Sequence, residues 1–101
     1  MTIKSLKNIS LSQYESFLEL CKCKYFSIKG GHVKYTRSDL TRPIIFQTHI
    51  NPVPEMIIRN GLKSLGYSKS DFFQILDGEL IIKEISEGEK IKKYSKVKKD
   101  T

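Results

Sequence analysis

Apolar residues recur at Tyr14, Phe17, Leu18 and Cys21, the three-and-four spacing of one helical face. Ser12 and Glu15 stand three apart just ahead of that stripe and read as a capping box, so the spacing predicts a helix over 12–23. The period then changes. Residues 25–29 alternate and carry two aromatics, which predicts a short strand that ends at Gly30-Gly31. His32 to Arg37 alternates cleanly, with Val33 and Tyr35 on one face and His32, Lys34 and Thr36 on the other. A third strand is expected over 42–49, with Ile44 and Phe46 inward and Gln47 and His49 on the polar side. Pro43 has no N–H to give a ladder, so it belongs at that strand's start or on an edge.

Helical spacing returns at Ile58, Leu62 and Leu65. Pro54 and Glu55 suit the first turn of this second helix, and Gly66 suits its C-terminal cap. Ser68 to Asp71 then caps a short third helix with Phe72, Phe73 and Leu76. Strands run together between helices predict an α+β domain, helices on one face of an antiparallel sheet. Residues 1–78 form the expected domain and 79–101 a basic extension. Residues 79–85 read equally as an extra strand or a helix extension. The 90–99 run holds six lysines and no acid, the composition of a solvated, disordered tail.

The chain has 101 residues, the size of one domain with one core. No apolar run approaches the roughly 20 residues that span a bilayer, and the start lacks a signal peptide's apolar stretch, so a cytoplasmic protein is expected. Cys21 and Cys23 are too few for a zinc site and read as buried, reduced thiols. The formal net charge is +7, and residues up to Asp77 hold 11 Lys and Arg against 6 Asp and Glu. A basic domain of this size points to a polyanion, either nucleic acid or an acidic protein.

His32 is the candidate catalytic group, because it follows two glycines at the head of a strand with polar neighbours on its face. Glycine lets a phosphate approach the backbone closely, and imidazole exchanges protons near neutral pH. A ribose 2′-hydroxyl beside a phosphodiester is a matching substrate, with Lys29, Lys34 and Arg42 as candidate cations. On pattern alone, a histidine after Gly-Gly is more often a turn or surface residue. No nucleophile elbow, phosphate loop or metal-ligand cluster accompanies it.

Gly30-Gly31-His32-Val33-Lys34-Tyr35 resembles the Gly-Ser-His-x-x-Tyr signature of HicA toxins. Thr48-His49 and the stretch from Ile58 to Phe73 resemble that family's second half, so the likeness covers roughly residues 10–77. The resemblance implies a fold like the double-stranded RNA-binding domain, α-β-β-β-α. It also implies a metal-independent endoribonuclease without cofactor, an mRNA interferase of a toxin–antitoxin system, with His32 catalytic and a HicB-type antitoxin as partner. Lys29, Gly30, Gly31, Lys34 and Arg42 are then the expected RNA contacts, and Tyr25 a candidate outward aromatic. Gly31 stands where the family has serine, and 79–101 lies outside the likeness. The competing readings are a silent RNA-binding module of the same fold and a protein-interaction domain.

Overall fold

The computed structural model describes residues 5–85 and 93–99. The elements run α1 (Leu11–Leu20), β1 (Lys24–Ser27), β2 (His32–Thr36), β3 (Ile44–Gln47), α2 (Glu55–Leu65), α3 (Lys69–Leu76), β4 (Leu80–Ile85) and β5 (Lys93–Lys98). The first three strands form one antiparallel sheet in the order β1-β2-β3, and β4 and β5 form a separate antiparallel hairpin. The protein is therefore α+β, as expected. No helix among the described residues is long and apolar enough to cross a membrane.

α1 starts one capping register earlier than Ser12. The Ser10 hydroxyl accepts from the Gln13 N–H, and Gln13 Oε1 accepts from the Ser10 N–H. Asn51 supplies a further acceptor for the Leu11 N–H at 3.0 Å, which fixes the helix start from across the chain. Glu15 is used elsewhere, accepting from the Tyr35 hydroxyl at 3.1 Å. The helix also ends before residue 23: Cys21 is its cap and Lys22 turns left-handed, at φ 69°. Both cysteines are buried and free, and burial pushes the Cys23 thiol up to about 11.

The helices cover the sheet face that carries Val33, Tyr35, Ile44 and Phe46, all buried. Tyr14 of α1 meets Phe46 at a ring distance of 5.0 Å, and Phe17 meets Phe72 of α3 at 4.6 Å. Ile58, Leu62 and Leu65 are buried as the α2 spacing predicts, and Gly66 caps that helix in the left-handed conformation. α3 begins with the expected Ser68–Asp71 box. β3 is shorter than 42–49: Arg42 and Pro43 precede it, and Thr48 and His49 sit in a turn.

The largest departure is at the C-terminus. Lys93–Lys98 is a strand, where a solvated tail was expected; the rest of that run, 90–92, lies outside the described residues. Residues 80–85 resolve as a strand. Leu80 and Ile82 are buried in the core, so packing continues across position 78. Burying each such side chain stabilises by roughly 1.5–3 kcal/mol. The lysines of β5 keep their charge in water while the strand pairs. Tyr94 packs its ring 4.3 Å from the buried Arg37, and Lys96 reaches Asp71 of α3 at 3.0 Å.

Gly61 sits inside α2, where alanine would ordinarily favour the helix by about 1 kcal/mol. Here a Cβ would overlap the buried Tyr14 hydroxyl. Gly61→Ala is expected to lower unfolding free energy by about 1–3 kcal/mol in urea titrations, through overpacking. Adding Tyr14→Phe, which removes the obstructing oxygen, should recover most of the loss. A stabilising Gly61→Ala would refute the close approach.

Burial alone would raise the Asp71 carboxyl, but the Ser68 N–H and the Lys96 ammonium together hold it below the ordinary value. The folded state therefore binds this proton more weakly than the unfolded state. The resulting stability is present above an unfolded carboxylate value of about 3.9 and is lost as pH falls through the lower folded value. Thermal melts of wild type and Asp71→Asn should therefore converge on acidification from about pH 5 to pH 3. A constant gap across that window would contradict the linkage.

Candidate functional site

β2 opens at His32, straight after the turn formed by Lys29, Gly30 and Gly31. The Ile28 N–H closes this turn on the His32 carbonyl at 3.0 Å. Gly30 and Gly31 lie at φ 78° and 76°, a conformation that disfavours side chains. The turn is also stitched to the end of β3. Thr48 donates to the Gly31 carbonyl twice, from its N–H at 2.8 Å and its hydroxyl at 2.9 Å.

The same register sets His32 directly opposite Gln47. The Gln47 amide nitrogen stands 3.1 Å from His32 Nε2. As placed, the amide nitrogen donates to Nε2, which leaves the ring proton on Nδ1; turned over, the amide carbonyl would accept from Nε2–H and leave the lone pair on Nδ1. His32 Nδ1 is left facing Gly30, 3.7 Å from where a Cβ would stand. His49 brings its own Nδ1 to Gly31, 3.4 Å from the equivalent point. One imidazole thus borders each of the two glycines of the turn.

The sheet face turned away from the helices is uncovered. Phe26, Lys34 and Ile45 form a row across it, because β1, β2 and β3 pair at those positions. Phe26 is 46% and Ile45 47% exposed, and the Lys34 ammonium stands 5.2 Å from the Phe26 ring centroid. Tyr25 is exposed too, but it lies on the core side against Tyr35, with ring centroids 5.5 Å apart. The outward aromatic is therefore Phe26, which the sequence reading passed over. Pairing with β2 decides it, because Phe26 stands opposite the outward Lys34 and Tyr25 opposite the buried Tyr35.

Five of the expected site residues gather here. Lys29, Gly30, Gly31 and His32 share one turn, and Lys34 follows two residues along the same face. Arg42 does not join them. It precedes β3, at the end of the sheet opposite His32, whose partner Gln47 closes the strand. Beside His32, the side chains of Ile45, Ile50, Val53 and Ile57 wall a pocket of about 320 Å³ between β3 and the start of α2. Among the described residues, no group of three or more His, Cys, Asp or Glu side chains is placed to hold a metal ion.

A serine at position 31, as in the HicA signature, would adopt a left-handed conformation and press on His49. Gly31→Ser should therefore lower unfolding free energy by about 1–3 kcal/mol. An equal or higher urea midpoint would show that the turn relaxes to accept a side chain.

Comparison with protein-family models, with curated proteins and with solved structures finds no match.

Proposed function

We propose that this chain is an RNA-cleaving enzyme of the HicA toxin type, built on a frame like the double-stranded RNA-binding domain, with His32 as its general base. The supporting observation is that His32 Nδ1 borders Gly30 and His49 Nδ1 borders Gly31 in one turn, with Gln47 against the other His32 nitrogen. The mechanism needs the Gln47 amide turned over from the placement in which its nitrogen faces Nε2, so that its carbonyl accepts from Nε2–H and Nδ1 carries the lone pair.

The chemistry needs no other reactant. Neutral His32 takes the proton of a ribose 2′-hydroxyl. The 2′-oxygen forms a bond to the adjacent phosphorus, and the bond from phosphorus to the 5′-oxygen breaks. The leaving oxygen takes a proton from His49. The products are a 2′,3′-cyclic phosphate and a 5′-hydroxyl. Each positioned proton transfer typically contributes ~10²–10⁴-fold. Backbone groups of the glycine turn, with Lys29 and Lys34, stabilise charge on the phosphorane. The apolar pocket beside His32 takes the face of a flanking base or sugar.

On this reading messenger RNA is the substrate, translation stops when it is cut, and a HicB-type antitoxin neutralises the enzyme in the cytoplasm. One observation favours a second reading, a silent single-strand binder. The Phe26–Lys34 pair combines an exposed ring with a cation, the parts of a base-stacking platform.

The test is induced expression and purified-protein cleavage of a defined RNA, wild type against His32→Ala. Cleavage is expected to fall ~10²–10⁴-fold, with growth restored and cyclic-phosphate ends lost. His49→Ala should also slow cleavage, by removing the proton donor to the leaving oxygen. Equal RNA loss in wild type and His32→Ala would remove His32 from the mechanism. Intact RNA in both, with affinity retained, would establish the binder.

A further inference from the structure

We infer that the C-terminal hairpin and the turn after α1 form a second polyanion groove, which holds the backbone of single-stranded RNA leading to His32. This rests on the ribonuclease reading for the identity of the ligand. The groove itself stands on separate residues.

Lys22, Lys24 and Lys83 line it together with Ile81, Ile82 and Tyr94, around a volume of about 570 Å³. All three lysines are exposed. Glu84 is the one carboxylate in the lining, against three lysines. Lys22 occupies the left-handed position after the α1 cap, where glycine would be favoured. Lys83 projects from the outer face of β4, opposite Ser95 of β5.

The groove is continuous with the candidate site. Lys24 pairs with Thr36, and Phe26 pairs with Lys34, so both rows lie on the uncovered sheet face. A track of cations therefore runs from His32 through Lys34 to Lys24 and into the groove. It follows β2, whose five residues span about 13 Å between end Cα atoms. The exposed Phe26 ring lies between Lys34 and Lys24 on β1. Spaced lysines with an interleaved aromatic match a single strand's phosphates and unpaired bases. An acidic protein would find the charges but would have no use for the ring.

The experiment uses the full chain carrying His32→Ala, so that RNA survives the titration. Binding of a fluorescein-labelled 20-nucleotide single-stranded RNA is followed by anisotropy from 50 to 200 mM salt. The triple variant Lys22→Gln, Lys24→Gln, Lys83→Gln is compared with Lys7→Gln, Lys63→Gln, Lys69→Gln, which removes equal charge elsewhere. Each lost phosphate contact lowers the log–log salt slope by about 0.7 on a single strand. The groove triple should therefore lose about 2 from the slope and at least tenfold in affinity at 50 mM, while the control triple changes neither. Equal changes in both triples, or none in either, would overturn the proposal. If the groove triple fails to fold, acetylation footprinting of the His32→Ala chain decides. RNA should protect Lys22, Lys24 and Lys83 but not Lys63 and Lys69, and uniform labelling would overturn the groove. Cleavage by the wild type separates this proposal from the ribonuclease reading. A failed groove leaves His32-dependent cleavage intact, whereas a failed ribonuclease shows none whatever the groove does.

Discussion

A buried guanidinium organises this small fold. Arg37 is 5% exposed and continues the inward alternation of Val33 and Tyr35 past the end of β2. Burying an unpaired charge costs far more than a domain of this size can offset. Each of its three nitrogens is therefore met. Asp39 takes two bonds, at 2.6 and 2.8 Å, and one Nη serves both the Cys21 carbonyl and the Tyr67 hydroxyl at 2.9 Å. The Tyr94 ring stacks over the remaining face. One side chain thus joins the end of α1, the β2–β3 connection, the α2–α3 link and β5.

That junction decides where chemistry can sit. It anchors β2 at its C-terminal end, while Thr48 and Gln47 hold the N-terminal end through Gly31 and His32. A five-residue strand fixed at both ends keeps its register, and register is what places His32 opposite Gln47. With the helices committed to the opposite face, Phe26, Lys34 and Ile45 are left uncovered. An exposed apolar row rimmed by cations is the kind of surface that marks a binding face. The same Arg37 contact that orders β5 also brings the hairpin lysine beside Lys22 and Lys24.

The helices were the most legible part of the chain. Ile58, Leu62 and Leu65 with Gly66, and Ser68 with Asp71, carry local signals that tertiary packing did not override. The first cap was misread because Ser10 and Ser12 offer the same oxygen. The deciding acceptor is Asn51, forty residues away. The lysine run was misread for a related reason. Its composition suggests solvation, while the alternation of Tyr94, Lys96 and Lys98 against Ser95 and Val97 is a strand's. Lysine stems let such a strand pair without burying charge. Arg37 was invisible as a core residue, since charge at an inward position reads as the strand's end. The His32 site was half legible. The glycines and histidine stand together in sequence, but Gln47 and His49 join them only through strand pairing.

The proposed division of labour follows from where the charges lie. The glycine turn carries two imidazoles and an amide with Lys29 and Lys34 beside them, whereas Lys24, Lys22 and Lys83 lie further off along the sheet and hairpin. Cations far from the reacting phosphorus bind substrate and transition state alike, so they govern affinity and its salt dependence. Groups that exchange protons with the 2′- and 5′-oxygens act only as bonds change, so they govern the chemical step. Arg42, at the far end of the sheet, belongs with the first set. Such a layout separates grip from cutting, so substitutions in the two sets should act on different kinetic constants. It also explains why a glycine pair suits the centre: a phosphate held by lysines can settle against bare backbone, with an imidazole beside each glycine.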